Sequence, residues 1–310
     1  MIQLNWIDIT KGINGMKSDK YIDKNTSSLC GKTVAITGST GGLGKEICHY
    51  LASLGADLIL LDRNGKRSAE HRDSLLKLNP DINISLISLD LEDMESVRAA
   101  TEALLSMGLD VFIHNAGAYS IPRHKCSTGF DNVFQINFVS PYYMIRRLLP
   151  MLSERRGRVV AVGSIAHNYS KIDERDVDFS TRTAASLVYG NAKRFLMLSL
   201  FELFKNERGA TLAISHPGIT FTNITNHYPP LIFAIIKHPM KIIFMKPKRA
   251  ALSIVKGVFE KCGYLEWWGP RYLDVWGLPK KKRLRSADSR EIAKISEITE
   301  KIYKNLQESE

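Results

Sequence analysis

The sequence predicts an α/β fold with a doubly wound parallel sheet. Short apolar runs rich in Val, Ile and Leu alternate along the chain with segments of helical apolar spacing. The runs are continuously apolar, which is typical of strands covered on both faces by helices. A glycine-rich turn follows the first run. Because crossovers between parallel strands are right-handed, these elements are expected to wind on both sides of one sheet.

Six strands and seven helices are expected. The strands are predicted at 33–37, 57–61, 82–89, 109–113, 158–162 and 210–215. The helices are predicted at 43–54, 66–78, 93–106, 129–153, 186–207, 249–262 and 288–306. In the last helix Asp288 and Glu291 form a possible capping box. One stripe predicts that this helix docks on the body, and it consists of Ile292, Ile295, Ile298 and Ile302.

The chain is interpreted as a single domain with an N-terminal arm and a C-terminal helical extension. Residues 1–29 form the arm, which shows little core patterning and is expected to be unnecessary for the fold. Residues 30–279 form the α/β domain, and 280–310 form a basic segment and the last helix. The run from Lys280 to Arg285 is expected to be an exposed tail, as blocks of like charge usually are.

Composition excludes several classes of protein. The net charge is +11, with a pI of about 9.4, but no aromatic and basic interleaving or known module predicts nucleic-acid binding. The four cysteines lack C-x-x-C spacing, so neither a metal site nor a disulfide framework is expected. No signal-peptide core is visible, and 231–245 is too short and too charged to span a membrane. These observations favour a cytoplasmic protein with no transmembrane segment.

The glycine-rich turn is the first motif with a chemical interpretation. It lies between the first strand and the first core helix and reads Thr37-Gly38-Ser39-Thr40-Gly41-Gly42-Leu43-Gly44. Such a turn lets a pyrophosphate approach the backbone, beside the free N–H groups of a helix N-terminus. The predicted cofactor contacts are Gly38, Thr40, Gly42, Leu43 and Gly44. A tight connection without a ligand is the alternative.

An acidic residue at the end of the second strand bears on the choice of cofactor. Asp62 lies about 20 residues after the glycines, where a carboxylate can accept from a ribose 2′-OH and repel a 2′-phosphate. Arg63 follows it and could instead favour the phosphate. No Lys or Arg lies inside the glycine loop, so NAD(H) is favoured over NADP(H). An ordinary surface aspartate at a strand end is the alternative.

A tyrosine and a lysine four residues apart indicate proton transfer. Tyr189 and Lys193 share one face of a predicted helix. A nearby ammonium group is expected to lower the pKa of the phenol and make it a usable general acid or base. Ser164 follows the fifth strand and could donate to a substrate carbonyl. A surface tyrosine with a solvated lysine, and a serine serving only the turn, are the alternatives.

Taken in order, these motifs resemble the short-chain dehydrogenase/reductase family in its compact single-domain branch, over roughly residues 30–225. The set is T-G-x-x-x-G-x-G, Asn115-Ala116-Gly117, Asn137, Ser164, Tyr189-x-x-x-Lys193 and Pro217-Gly218. The resemblance implies a Rossmann fold and a nicotinamide cofactor. The region from Trp267 to Pro270, with the basic terminal helix, also resembles retinol- and hydroxysteroid-dehydrogenase-like members.

The resemblance also implies roles at matching positions. Asn137, Ser164, Tyr189 and Lys193 would be catalytic, with Asn137 positioning a relay water and Lys193 holding the nicotinamide ribose. Asn115 would brace the central strand, and its neighbour His114, where Asn is frequent in the family, is expected to matter little. The remaining cofactor contacts would be Asp90 and Leu91 at the adenine, and Asn115, Ala116, Gly117, Pro217, Gly218, Thr220 and Thr222.

The family places its substrate loop after the sixth strand, at about 223–246 here. This segment is apolar and suits a bulky lipophilic alcohol, although a helix packed on the core is an equal alternative. A hydroxysteroid dehydrogenase is the favoured prediction. An NADP(H)-dependent reductase of retinoid-like or small carbonyl compounds, and a non-catalytic dinucleotide sensor, stay open. An extended-branch epimerase or dehydratase is disfavoured by the glycine spacing. The family implies a homodimer or homotetramer.

Overall fold

The structure is a computed structural model that describes residues 18–219, 245–284 and 288–308. Its strands are β1 (Thr33–Thr37), β2 (Asp57–Asp62), β3 (Ile84–Ser88), β4 (Val111–His114), β5 (Arg158–Val162), β6 (Thr211–Ser215), β7 (Glu266–Tyr272) and β8 (Trp276–Arg283). Its main helices are α1 (Ser18–Asn25), α2 (Gly42–Ser53), α3 (Gly65–Leu78), α4 (Met94–Met107), α5 (Ser140–Glu154), α6 (Ala185–Leu203), α7 (Pro247–Phe259) and α8 (Ser289–Glu308).

One eight-stranded sheet has the order β3-β2-β1-β4-β5-β6-β7-β8. Strands β1 to β7 pair in parallel and only β8 is antiparallel, on β7. The predicted doubly wound parallel sheet and all six predicted strands are confirmed. The strand order reverses beside β1, where the chain crosses from one half of the sheet to the other. The carboxyl ends of β1 and β4 therefore border a crevice suited to a ligand.

Successive residues of each strand face two separate cores. In β1, Ala35 points to the layer of α4, α5, α6 and α8, whereas Val34 and Ile36 point to the layer of α1, α2, α3 and α7. This two-sided burial explains the continuously apolar strands. The Ile stripe predicted for the last helix packs as expected, with Ile292 and Ile295 buried in the first layer.

Two strands were not predicted, and they change the interpretation of the basic run. β8 spans Trp276–Arg283 and pairs along β7, so the expected boundary between 279 and 280 falls within a strand. The exposed-tail prediction is wrong for Lys280 to Arg283, whose backbone forms the edge of the sheet, although most of these side chains are exposed. Charged side chains on an edge strand discourage pairing with another chain.

The described part of the N-terminal arm belongs to the packed body. Helix α1 buries Tyr21 and Ile22, and Leu29 follows them into the same core as α2 and α7. Asp19 also pairs with Lys248 at 2.9 Å. The expectation that the arm carries no core pattern beyond its first residues is therefore wrong for 18–29. The alternating apolar residues Ile2, Leu4 and Trp6 lie outside the described residues.

The predicted helix at 129–153 is interrupted. It begins with one turn, Asn132–Phe134, continues as a π-turn, Gln135–Val139, and becomes α5 at Ser140. π-turns within helices are frequent at functional sites. This one contains Asn137. Among the residues that the structure describes, no helix is long and apolar enough to cross a membrane.

Candidate active site

The glycine loop between β1 and α2 is closely packed. Gly38 has φ of 69°, and a Cβ there would lie 3.0 Å from Ala116 Cα. A Cβ on Gly44 would lie 2.1 Å from the Gly38 carbonyl oxygen, so only glycine fits. Gly41 caps α2 without a side-chain hydrogen bond. The first-turn amides, including those of Gly42 and Leu43, lack intrahelical acceptors and can donate to a pyrophosphate.

Asn115 joins the glycine loop to the end of β4. Its Nδ2 donates to the carbonyl oxygens of Thr37 and Gly38, both at 3.0 Å. In return, the Thr37 hydroxyl accepts from the amides of Asn115 and Ala116 at 3.1 and 3.0 Å. Thr37 Oγ1 also lies 3.3 Å from Nδ1 of the fully buried His114. This is the bracing that the resemblance implied for Asn115, and His114 takes part in it.

Asp62 holds the glycine loop from the other side. Its Oδ1 accepts from the Thr40 amide at 3.1 Å and the Thr40 hydroxyl at 3.0 Å. Its Oδ2 accepts from the hydroxyls of Ser39 and, at 3.1 Å, Ser68. The residue is buried. Four protein donors occupy the carboxylate, so the expected role as acceptor for a ribose hydroxyl would require one of them to be displaced.

Basic and acidic groups lie around this end of the crevice. Arg63 is exposed, and its Nη1 lies 3.9 Å from Asp90 and 4.0 Å from Glu92. Arg67, in the first turn of α3, donates to the Thr40 carbonyl at 3.4 Å. Leu91 is buried in the core, and its carbonyl oxygen accepts from Ser140 at 2.7 Å. Asp90 is therefore the more accessible of the two residues expected at the adenine.

The serine and tyrosine expected to be catalytic are brought together. Ser164 lies two residues after the end of β5 and caps a 3₁₀ turn, Ile165–Asn168, where its Oγ accepts from the Ala166 amide at 3.2 Å. The Ser164 hydroxyl also lies near the Tyr189 phenol, and hydrogen bonding from Ser164 acts to lower the pKa of Tyr189. Helix α6 can approach this turn because position 190 is glycine, where a Cβ would lie 2.4 Å from the Ala166 carbonyl oxygen.

Lys193 lies one turn below Tyr189. Its Nζ donates to the Val162 carbonyl at 3.1 Å and lies 5.7 Å from the Tyr189 ring centroid. Asn137 donates to the carbonyls of Ala118 and Val133, at 2.8 and 2.9 Å, which leaves its buried Oδ1 without a partner among the described residues.

Gly117 is the point at which these two side chains converge. A Cβ there would lie 2.7 Å from Asn137 Oδ1 and 3.6 Å from Lys193 Nζ. A larger residue would therefore crowd Asn137 Oδ1 and come into contact with Lys193 Nζ. The structure thus gathers the four residues expected to be catalytic around the carboxyl ends of β4 and β5.

Burial shifts both ionisable groups of the pair away from their charged forms. It raises the pKa of Tyr189 to about 12, although the Ser164 hydrogen bond acts in the opposite direction. It lowers the pKa of Lys193 to about 7. The expectation that Lys193 lowers the tyrosine pKa is therefore wrong in direction for the protein alone, because loss of solvent around the hydroxyl dominates.

The segment after β6 packs under the last hairpin. Gly218 has φ of 85°, and a Cβ there would lie 2.8 Å from the Val275 carbonyl oxygen. His216, just before Pro217, stacks on Trp267 with ring centroids 5.3 Å apart. Thr220 and Thr222, expected to contact the cofactor, lie outside the described residues, as does nearly all of the expected substrate loop at 223–246.

One group of potential metal ligands occurs in the described part of the chain. Ligand atoms of Glu92, His124 and Cys126 lie within 4.8 Å of one another. Glu92 pairs with His124 Nε2 at 3.0 Å, and the side-chain Nδ2 of Asn132 lies 3.1 Å from His124 Nδ1. In this arrangement Nδ1 accepts and Nε2–H donates to Glu92, which is the reverse of the tautomer that a metal at Nε2 needs.

Sequence reasoning missed one group of residues behind the catalytic turn. Arg194 and Glu291 form a buried ion pair between α6 and α8, and Arg194 also donates to the His167 carbonyl at 2.8 Å. The signal available was the position of Arg194 directly after Lys193 and of Glu291 in the expected capping box. Nothing in the sequence pairs these residues, which are 97 positions apart.

Comparisons with known proteins agree with this site. The family model described as short chain dehydrogenase matches residues 32–174. Retinol dehydrogenase 12 of Mus musculus is 32% identical over 202 residues, covering 64% of this chain and 64% of that protein, slightly less than two thirds of its length. Short-chain dehydrogenase TIC 32 A, chloroplastic, of Brassica napus is 30% identical, covering 70% of this chain and 73% of that protein.

A solved structure extends the likeness over almost the whole chain. An uncharacterized protein from Mycobacterium paratuberculosis aligns with a TM-score of 0.73 and 25% identity, covering 91% of this chain and 96% of that one. Together with the glycine loop and the Ser164, Tyr189 and Lys193 arrangement, these matches define the class of protein. The chain belongs to the short-chain dehydrogenase/reductase family.

Proposed function

We propose that this protein interconverts an alcohol and its carbonyl compound on a lipophilic substrate, using a nicotinamide cofactor. The observation that supports this most is the convergence of Ser164, Tyr189, Lys193 and Asn137 at the carboxyl edge of the sheet, beside the glycine loop. A non-catalytic dinucleotide sensor needs none of these four side chains. Their joint placement therefore favours the enzyme.

The residues around the crevice fit a dinucleotide. Gly38 and Gly44 admit no side chain, and the uncapped first turn of α2 offers amides to a pyrophosphate. Asn137 Oδ1 is buried beside Gly117 without a partner among the described residues, and a buried acceptor of this kind needs a donor. When bound there, the cofactor would supply or accept the hydride.

The protein's own residues then handle the proton and the developing charge. In reduction, the Tyr189 hydroxyl donates its proton to the carbonyl oxygen, and the raised pKa keeps that phenol protonated and ready. Ser164 donates to the same oxygen and stabilises the negative charge that develops on it. Lys193 is fixed by its hydrogen bond to the Val162 carbonyl at the bottom of the site. Asn137 Oδ1 can accept a hydrogen bond in a proton relay. Oxidation runs the same path in reverse.

The preference for NAD(H) expected from Asp62 depends on that carboxylate accepting a ribose hydroxyl. Because it already accepts four hydrogen bonds from the protein, we propose NADP(H) instead. Arg63, which follows Asp62, and Arg67, which donates to the Thr40 carbonyl, are both exposed, and a guanidinium matches the geometry of a 2′-phosphate.

Steady-state kinetics with both cofactors test this choice. Arg63→Ala should lower kcat/KM for NADPH at least about tenfold and leave NADH little changed. Arg72→Ala, on the same side of the molecule but paired with Asp73, is the matched control. A wild-type protein that prefers NADH would restore the assignment of Asp62 as the residue that reads the ribose.

For the substrate we propose a long apolar alcohol of the retinoid type. Relatives named retinol dehydrogenase support this class, and the apolar composition at 224–245 suits it. The hydroxysteroid expectation rested on that apolar segment and on the resemblance at Trp267 to Pro270, which is shared with retinol-dehydrogenase-like members, so it becomes the second candidate.

A panel of retinoids, ketosteroids and small ketones, followed by nicotinamide absorbance with both cofactors, separates the candidates. Tyr189→Phe serves as the background control in every assay. Turnover of small ketones alone would contradict a lipophilic substrate. Absence of turnover together with tight cofactor binding would favour the sensor.

Three further expectations stay predictions. The family resemblance implies a homodimer or homotetramer, which light scattering would test. The cytoplasmic location would be tested by fractionation. The absence of nucleic-acid binding despite the charge of +11 would be tested by titrating duplexes at low salt.

A further inference from the structure

The C-terminal helix is fixed to the catalytic helix by one buried ion pair. Arg194 follows Lys193 in α6, and its Nε donates to Glu291 Oε1 at 2.6 Å while Nη2 donates to Oε2. The side chains are 2% and 9% exposed. The Glu291 amide donates to Asp288 Oδ1 at 2.9 Å, so the carboxylate lies in the first turn of α8. A buried two-point contact of this kind fixes the relative position of two helices.

The same guanidinium reaches the turn that contains Ser164. Arg194 Nη1 donates to the His167 carbonyl at 2.8 Å, and His167 Nδ1 donates to the Ser164 carbonyl at 2.5 Å. Glu291 Oε1 also accepts from the Ile172 amide at 3.4 Å, at the far end of this segment. Burial lowers the pKa of His167 to about 4, so the ring is neutral at physiological pH and keeps this donor arrangement.

We propose that Glu291 is a positioning residue for the reaction. Through Arg194 and His167 it fixes the turn after β5, and this turn sets the Ser164 hydroxyl against the Tyr189 hydroxyl. The inference rests on the proposed function, and it makes the C-terminal helix part of the support of the active site. Misplacement of a reacting group by a distant change costs up to about 100-fold in rate.

The chain offers a matched control on the same two helices. Thr299 Oγ1 and Ser199 Oγ lie 2.8 Å apart, and both residues are 2% exposed. This contact joins α8 to α6 further along both helices, about two turns on in α8 and about one and a half turns on in α6. None of the hydrogen bonds described for it leads to the Ser164 turn. Thr299→Val therefore weakens the docking of α8 without touching the proposed network.

The experiment compares Glu291→Gln with Thr299→Val in the full chain. Melting temperature, kcat at saturating cofactor, cofactor KM and hydrogen exchange of the amides at 164–172 are measured for each. Glu291→Gln should lower kcat about 10- to 100-fold with cofactor KM unchanged and should speed exchange at 164–172. Thr299→Val should change the melting temperature alone.

A second variant guards against misfolding, because a single change leaves one buried charge without its partner. The double variant Arg194→Met with Glu291→Met removes both charges and should reproduce the loss of kcat and the faster exchange. Equal kcat and equal exchange in Glu291→Gln and Thr299→Val would overturn the proposal. If the wild-type protein turns over no substrate, the proposed function fails, and hydrogen exchange alone decides the positioning role.

Discussion

At the scale of single residues, the hydroxyl of Tyr189 is the group on which the proposed chemistry depends. Tyr189→Phe removes that hydroxyl and keeps the ring, which packs edge-on against Tyr119 at 5.4 Å. We expect kcat to fall by about 10²- to 10⁴-fold, as is typical for loss of a positioned general acid. Cofactor affinity, measured by nucleotide titration, should persist.

Tyr142→Phe provides the comparison for that substitution. Tyr142 is also buried, and its hydroxyl donates to Glu300 of α8 at 3.3 Å. It should keep wild-type turnover. A Tyr189→Phe variant that retains more than about a tenth of wild-type kcat would remove the tyrosine from the role of proton donor.

Lys193 carries a cost in stability that depends on pH. Its pKa is about 7 in the folded protein against 10.5 in the unfolded chain, so the unfolded state binds more protons between these values. The free energy of unfolding therefore rises as the pH increases from 7 to 10.5. Below pH 7 the destabilisation caused by Lys193 has its full value. Lys193→Met removes the penalty.

Lys193→Met should therefore raise the free energy of unfolding most below pH 7, by up to about 5 kcal/mol, and least above pH 10.5. Denaturant titrations at pH 6 and pH 10 measure this difference, and turnover should be lost. A gain that is the same at both values of pH would show that the ammonium is not desolvated.

At this scale the sequence predicted which side chains lie close together. It did not predict how burial shifts their pKa values. The i, i+4 spacing of Tyr189 and Lys193 correctly placed both on one helix face. The direction in which the pKa of Tyr189 shifts was predicted wrongly, because it depends on how completely neighbouring residues exclude water from the hydroxyl. The hydrogen bonds of Asp62 to the protein were not predicted, because Ser39 and Ser68 reach it only in the folded chain.

At the scale of elements, the approach of α2 to β1 depends on one glycine. Gly44→Ala would place a methyl group 2.1 Å from the Gly38 carbonyl oxygen, so the loop must move. We expect cofactor affinity to fall at least about tenfold, since the amides that face the pyrophosphate move with the loop. Gly65→Ala, at the start of α3 with nothing within 4 Å, is the control and should bind normally. Equal affinities would mean that the loop adapts.

The hairpin of β7 and β8 shows why some elements escape sequence patterns. Proline occurs in both strands, at Pro270 and Pro279, and β8 ends in four basic residues. Proline within a run argues against a central strand, and a charge block argues for an exposed segment. Both features are tolerated here because the hairpin closes the edge of the sheet, which is a property of the topology and not of local sequence.

At the scale of the whole molecule, each end of the described chain completes one of the two helical layers. Helix α8 covers α6 through Ile295 and the buried pair of Arg194 and Glu291. Helix α1 covers α2 and α7 through Tyr21 and Ile22. The Ile stripe of α8 was visible in the sequence, whereas α1 has a weak local signal, because what it buries belongs to distant parts of the sequence. The pattern of the central strands, by contrast, was sufficient to predict the sheet.

The packing of α1 gives a prediction that separates two truncations. A chain that starts at residue 18 keeps Tyr21, Ile22 and Leu29, whereas a chain that starts at residue 30 loses all three from the core. Burial of each contributes about 1.5–3 kcal/mol, and release of the ordered backbone offsets part of the loss. We expect the shorter chain to be less stable than the longer one by about 2–4 kcal/mol. Urea titrations of both chains measure this difference, and equal midpoints with equal slopes would show that 18–29 is dispensable for the fold.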